Sequence, residues 1–393
     1  MLSAAAAASS NAMLEVMLMQ AVSDIRSGRL SQAERQIDQL IALHPNYRLA
    51  HLIKGDLLLA RARALSGIGN VTHEHLHAQV IVPSPYPSRR PLLQSGAESV
   101  ADLRAELLAR VRHTLDVTKR DRLPEGLWRV AQDVPHVLFV DASRSRLYVF
   151  ENRGGLLGLI ADYYASVGKL GVGKLREGDR RTPTGTYLLT GAVARERLND
   201  FYGGAAYELD FPSPWDVRLG RTGSGIWLHG TPASTLVRAP RASDGCIVVS
   251  NADLASIGRL VVPGRTLIVV ADESRWVDRD TLARQSQSVL VAFEQWRGDF
   301  VSGDMARITQ HYLGATSRSA ETAPRMVNVS RTRPLSSGQV NVGNVSIVQV
   351  AGETGVATAM FDRMLGNHRD RVRQYWVMDH GRWRIAHESA SLP

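Results

Sequence analysis

Apolar residues recur at helical spacing over residues 14–65, where Ala21 and Ile25 lead into Ala33, Ile37, Leu40 and Ile41. Gly28 and then His44-Pro45-Asn46-Tyr47 interrupt the pattern, and Ala50, Leu52, Leu57 and Leu58 resume it, so helix, Gly turn, helix, Pro turn, helix is predicted. Pro83, Pro85, Pro87 and Pro91 mark a linker over 83–96, and a helix over Glu98–Val117 follows, so the helical region spans 14–130. From Val137 the period changes. Val137–Asp141 and Arg146–Phe150 are β-like runs, and short runs with Gly and Pro turns continue to Leu267–Val270, which predicts a mostly β domain over 136–272. Helices return at Thr281–Val301 and Asp304–Leu313. Strand-like runs follow at Val340–Val342, Val345–Val350, Gly355–Phe361, Val372–Met378 and Trp383–His387, with Asp379-His380-Gly381-Arg382 as a hairpin turn. Residues 281–393 therefore read as an α+β cone, and the whole chain as multidomain α+β.

Composition narrows the partners. The formal charge is +9, carried mostly by arginine and spread along the 393 residues. Such a surface suits a polyanionic neighbour such as an acidic cell-wall polymer. No helix-turn-helix, zinc-finger spacing or aromatic RNP-like motif accompanies the charge, so no nucleic-acid partner is expected. No apolar run reaches transmembrane length. The Ala- and Ser-rich start, 1–13, reads as a disordered tail or the remnant of a signal peptide, with Ser10-Asn11-Ala12 as a small-residue cleavage site. His73-Glu74-His75-Leu76-His77 alternates like a metal ligand set, but no further ligand is evident, so a solvated turn is expected, with no metal and no cofactor. Arg371-Val372-Arg373 and Arg382-Trp383-Arg384 read as a solvated sheet face.

The chemistry centres on a single cysteine, Cys246, in Ser243-Asp244-Gly245-Cys246. A thiol becomes a nucleophile when a base or a positive field lowers its pKa. His229, in Gly225-Ile226-Trp227-Leu228-His229-Gly230, is the candidate base. Both residues fall at strand ends, which adjacent strands bring together. Gly245 permits a tight turn, and the N–H groups of Gly245 and Cys246 are candidates to bind an oxyanion. The competing reading is a buried structural cysteine. A papain-like protease is disfavoured because there the cysteine precedes the histidine in sequence.

The neighbouring motifs extend this pair. His229-Gly230-Thr231, Ser243-Asp244-Gly245-Cys246-Ile247 and Glu177-Gly178-Asp179-Arg180-Arg181-Thr182-Pro183-Thr184-Gly185-Thr186-Tyr187 occur together, with Phe211-Pro212-Ser213-Pro214-Trp215-Asp216 between them. This set resembles the YkuD-type L,D-transpeptidases, cysteine enzymes of peptidoglycan, over 136–272. The resemblance implies that Cys246 attacks the meso-diaminopimelate–D-Ala bond of a stem peptide, with His229 as base and the Gly230 carbonyl orienting the imidazole. It implies that Gly245 and Ser243 shape the oxyanion loop. Arg181, Thr182, Tyr202, Tyr207, Trp227 and Asp244 are candidates for substrate contact; the competing readings are a loop closed by an Asp179–Arg181 ion pair and core or rim packing of Tyr202, Tyr207 and Trp227. The thioester is then resolved by an amine or by water. The arginine that the family usually carries two places after the cysteine is Val248 here, and Arg181, Arg238 and Arg241 are candidates to replace it.

Residues 14–65 resemble one tetratricopeptide unit, which cannot bury a solenoid core alone and so offers a packing or homodimer contact. Residues 281–393 resemble a nuclear-transport-factor-two-like domain, a pairing similar to that of cell-shape-determining L,D-carboxypeptidases. Stem peptides and cell-wall machinery are the implied partners, and the periplasm or cell envelope the implied location. The alternatives are a non-catalytic cell-wall-binding scaffold and an amidase that detaches peptides or proteins from diaminopimelate.

Overall fold

The computed structural model describes residues 3–66, 99–115, 121–232, 235, 238–314 and 340–391. The Pro-rich linker and the His73–His77 stretch lie outside them. Helices α1 (Ser3–Arg26), α2 (Leu30–Leu43), α3 (Arg48–Ser66) and α4 (Val100–Leu115) belong to one compact unit, and the sheets that follow form a second. The first unit is held by the stripe the spacing predicted: Leu18, Ala21, Ala33, Ile37, Leu40, Ala50 and Ile53 share one core. Gly28, at φ +74°, makes the first turn. The start of the chain differs from expectation. α1 extends through the stretch read as a tail, because alanine is the strongest helix former.

In the second unit, β1 (Leu123–Pro124), β2 (His136–Asp141), β3 (Arg146–Arg153), β4 (Leu156–Tyr164), β5 (Val167–Gly168), β6 (Gly185–Ala192) and β7 (Ala206–Leu209) come first. Then come α5 (Pro214–Arg218), β8 (Trp227–His229), β9 (Arg241–Ser243), β10 (Ile247–Val248), α6 (Asn251–Gly258), β11 (Leu267–Ala271) and β12 (Trp276–Val277). An eight-stranded sheet runs β10-β8-β7-β6-β11-β2-β3-β4, parallel at β10–β8 and β11–β2. Both faces of its centre are buried. Leu138, Val140, Ile268 and Val270 join a core with α6, while Val137, Phe139, Leu267 and Val269 join another on the opposite face. Double-sided burial explains why these strands read as continuous apolar runs rather than alternating ones.

Helices α7 (Arg279–Ser302) and α8 (Met305–Gln310) precede a four-stranded antiparallel sheet, β13 (Val340–Gln349), β14 (Val356–Leu365), β15 (His368–Asp379) and β16 (Arg382–Ser391). Val289, Phe293, Trp296 and Phe300 form an apolar stripe on α7 that packs against Ile347, Ala359, Phe361, Val372 and Trp376. The predicted hairpin turn is present, with His380 and Gly381 at positive φ and Asp379 opposite Arg382. Arg371 and Arg373 correct the expectation of a solvated face. Arg373 Nη2 donates to Asp210 at 2.5 Å, and Arg371 pairs with Asp362 and donates to the Gly264 carbonyl, so both fasten β15 to the larger sheet domain.

Charge is also buried inside the smaller sheet. Arg363 forks onto Asp370 at 3.0 and 2.6 Å and reaches Glu388 at 2.9 Å, and Glu388 also accepts from Tyr312 and Gln374. Both carboxylates that meet that guanidinium are themselves out of water, so removing it leaves two buried charges uncompensated. Arg363→Ala is expected to destabilise the fold by about 3–5 kcal/mol, read as a lower urea midpoint of the full-length protein.

Candidate active site

Two strand pairings place the predicted pair. β8 and β10 run parallel with Leu228 opposite Ile247 and His229 opposite Val248. Leu228 and Ile247 enter the core beside α6, so Trp227 and His229 point to the other face. Cys246, one residue before Ile247, falls on that same face and packs with Trp227 and Tyr202. The thiol is half-buried and its Sγ lies 3.6 Å from the Gly225 carbonyl.

The imidazole is fixed from several sides. His229 is only 1% exposed, and its Nδ1 sits 2.6 Å from the Gly230 carbonyl. A carbonyl oxygen can only accept, so Nδ1 carries a proton, and in the neutral ring Nε2 holds the lone pair. Tyr202 meets the imidazole edge-on at 5.0 Å and lies 4.9 Å from Trp227, whose ring Arg197 covers. Gly230 has no room for a side chain: a Cβ there would stand 2.0 Å from Asn251 Oδ1. Asn251, at the first turn of α6, accepts from the Thr231 N–H at 2.8 Å and donates to the Thr231 carbonyl at 2.9 Å.

The cysteine loop is closed by its own serine. Ser243 Oγ donates to the Cys246 carbonyl at 2.6 Å and accepts from the Gly245 N–H at 3.2 Å. Gly245 takes φ +134°, and a Cβ there would come within 3.0 Å of the Arg181 carbonyl. Only glycine suits both constraints. The Gly245 N–H, expected to face an oxyanion, is thus engaged by Ser243 in this state.

Residues 135–270 match the family model of the YkuD L,D-transpeptidase catalytic domain. The chain carries an L,D-transpeptidase domain. No curated protein matches the chain. Among solved structures, Bd1075 of Bdellovibrio bacteriovorus is 24% identical with a TM-score of 0.56, covering 70% of this chain and 99% of that one. The helical cell shape determining protein Pgp2 of Campylobacter jejuni is 19% identical with a TM-score of 0.52, covering 69% of this chain and 96% of that one. Both likenesses show a shared fold that extends beyond the catalytic domain.

Within the L,D-transpeptidase domain the expected groove residues divide. Tyr202 lies against His229, and Trp227 against Tyr202. Tyr207 does not: from β7 it pairs with Leu228 of β8 and turns to the opposite face, against Gly258 of α6. Thr182 is also displaced from the expected role. It is fully buried, and its Oγ1 accepts from the Gly168 N–H at 2.9 Å, which pins the loop behind the site. Arg181 is exposed but its guanidinium donates to the Val172 carbonyl. Asp244 is 66% exposed and pairs with Lys169 at 3.0 Å. Val248 is buried, and its backbone exchanges hydrogen bonds with Ser166. Among the described residues no cluster of His, Cys, Asp or Glu is arranged to hold a metal ion, and no helix is long and apolar enough to cross a membrane.

The Gly178–Tyr187 stretch owes its shape to Asp179. Its carboxylate accepts from Lys174 Nζ at 2.8 Å and from the N–H groups of Leu175, Arg176 and Arg181. Burial alone would raise this carboxyl; the ammonium and the three N–H groups outweigh it and bring it down to about 2. The folded pKa lies below the unfolded one, so the stabilisation is complete above about pH 4 and is lost as pH falls toward 2. The stability difference between the wild type and Asp179→Asn should accordingly shrink by about 2 kcal/mol between pH 5 and pH 2, as measured by urea unfolding at each pH.

Proposed function

We propose that this protein is a peptidoglycan cysteine enzyme that cleaves the meso-diaminopimelate–D-alanine bond of tetrapeptide stems, with water as acceptor. The observation that carries the reading is the placement of Cys246 on one sheet face with an imidazole whose Nδ1 is committed to the Gly230 carbonyl. Nε2 of His229 takes the Cys246 proton, and Sγ attacks the carbonyl of the L-configured centre of diaminopimelate. The oxyanion is assigned to the Gly245–Cys246 turn, with Ser243 Oγ yielding the Gly245 N–H as charge develops. Collapse breaks the C–N bond, and His229 returns its proton to the departing D-alanine amine. The resulting thioester is opened by a water that His229 deprotonates, which restores the thiol and leaves a tripeptide. An amine in place of water would give a cross-link. An amine already attached to the diaminopimelate carbonyl would make the same chemistry an amidase.

The match over 135–270 supports peptidoglycan as the polymer, and the fold shared with Pgp2 supports a role in cell shape. That substrate places the protein in the cell envelope, the periplasm where an outer membrane is present. We assign residues 281–393 to a nuclear-transport-factor-two-like domain that contacts substrate or cell-wall partners, and the N-terminal helices to a packing or homodimer contact.

Purified full-length protein incubated with tetrapeptide muropeptides should release tripeptide and D-alanine. Cross-linked dimers would instead make the acceptor an amine, and neither product would refute the enzymatic reading. His229→Ala should lower the rate by roughly 10²–10⁴-fold. A Cys246→Ala variant that kept full cellular function would favour a binding scaffold.

A further inference from the structure

Val248 leaves the site without the cation that its family position usually carries, and its buried side chain cannot reach a substrate charge. Another cation stands on the same loop system. β5 pairs with β9 so that Gly168 lies opposite Ser243, and the Lys169 N–H donates to the Ser243 carbonyl at 2.7 Å. The Lys169 backbone is therefore fixed to the strand that runs into Asp244-Gly245-Cys246. Its side chain extends into solvent, 48% exposed, and meets the equally accessible Asp244 at 3.0 Å. Asp244 is two residues from the nucleophile, so its Cα lies within about 7 Å of the Cys246 Cα. The other cations at this rim are held differently: Arg181 by the Val172 carbonyl, and Arg241 along the Gly171 backbone.

An exposed ion pair of this kind contributes about 0–1 kcal/mol to stability, so it can be opened at little cost. It also presents a positive and a negative group 3.0 Å apart, both accessible, on the loop that carries Cys246. That is the complement of an α-amino-acid centre, in which ammonium and carboxylate stand on one carbon.

We infer that Lys169 and Asp244 together recognise the free zwitterionic centre of the diaminopimelate side chain, Lys169 taking its carboxylate and Asp244 its ammonium. This inference rests on the proposed peptidoglycan reading and specifies which end of the substrate the site distinguishes. D-Alanine, whose nitrogen is in the scissile amide, offers a carboxylate alone and does not satisfy the pair. Lys169 and Asp244 are specificity residues and take no part in the proton transfers.

The test compares two tetrapeptides, one with the free ω-carboxylate of diaminopimelate and one with the ω-carboxamide. Losing a charge-assisted hydrogen bond at this position should lower kcat/KM for the amide by roughly 10–100-fold in the wild type, mainly through KM. Lys169→Ala should bring the two substrates to within about 2-fold of each other, and Lys169→Arg, which keeps the charge, should restore the preference. Asp244→Ala should raise KM for both substrates, since both retain the ω-ammonium. Wild-type turnover without a preference, or a preference that Lys169→Ala retains, would overturn the role of the pair and leave the Cys246 reading standing. Absence of turnover of either substrate by the wild type would overturn the enzymatic reading, and the pair's role with it.

Discussion

The contact between His229 Nδ1 and the Gly230 carbonyl, 2.6 Å long, is the constraint on which the site depends. It assigns the proton of a buried ring to one nitrogen and leaves the other as the basic atom on the Cys246 face. An imidazole could rotate out of that contact if the chain beyond it were loose. Asn251 prevents this by binding both polar groups of the Thr231 backbone, and its amide occupies the space where a side chain at 230 would stand. In the proposed mechanism the third member is a backbone carbonyl, held by a side-chain amide at the start of a helix. The parallel β8–β10 register then puts the thiol and the ring on one face of the sheet.

Charged groups do much of the remaining positioning. Asp179 gathers Lys174 and three backbone N–H groups into one turn, which sets the Arg181 carbonyl against Gly245. That turn in turn meets the 210–223 segment, where the Thr222 N–H donates to the Leu175 carbonyl. Arg221 bridges Asp216 and Glu353, and Trp215 stacks on Tyr375 at 5.3 Å, so the small C-terminal sheet braces the segment from outside.

What the sequence disclosed follows from how local each signal is. The α7 stripe, the His380-Gly381 turn and the continuous apolar runs of β2 and β11 are fixed by neighbours a few residues away, and they were legible. Cys246 and His229 stand out in the sequence because a lone thiol and a strand-end histidine restrict the chemistry before any distance is known, and their shared sheet face follows from the β8–β10 pairing. Tyr207 takes the packing reading, because motif membership does not say which face of a strand a side chain takes and a one-residue change of phase moves it from groove to core; Thr182 lies outside the named strands, where no periodicity indicates burial. The Arg371 and Arg373 pairs were invisible as such, since their partners, Asp210 and Asp133 among them, lie far away in sequence. Asn251 carried no local signal, because its amide serves a loop twenty residues upstream. The Ala-rich start has no apolar face to announce a helix, yet its propensity suffices to extend α1.

The nucleophile can be observed directly. Full-length protein quenched in acid during turnover of a tetrapeptide stem should carry the acyl-tripeptide mass, and digestion should locate it on the peptide containing Cys246. A hydroxylamine-sensitive adduct at that residue is the predicted result. An adduct on another residue, or steady turnover with Cys246 replaced by alanine, would contradict thioester catalysis at this site.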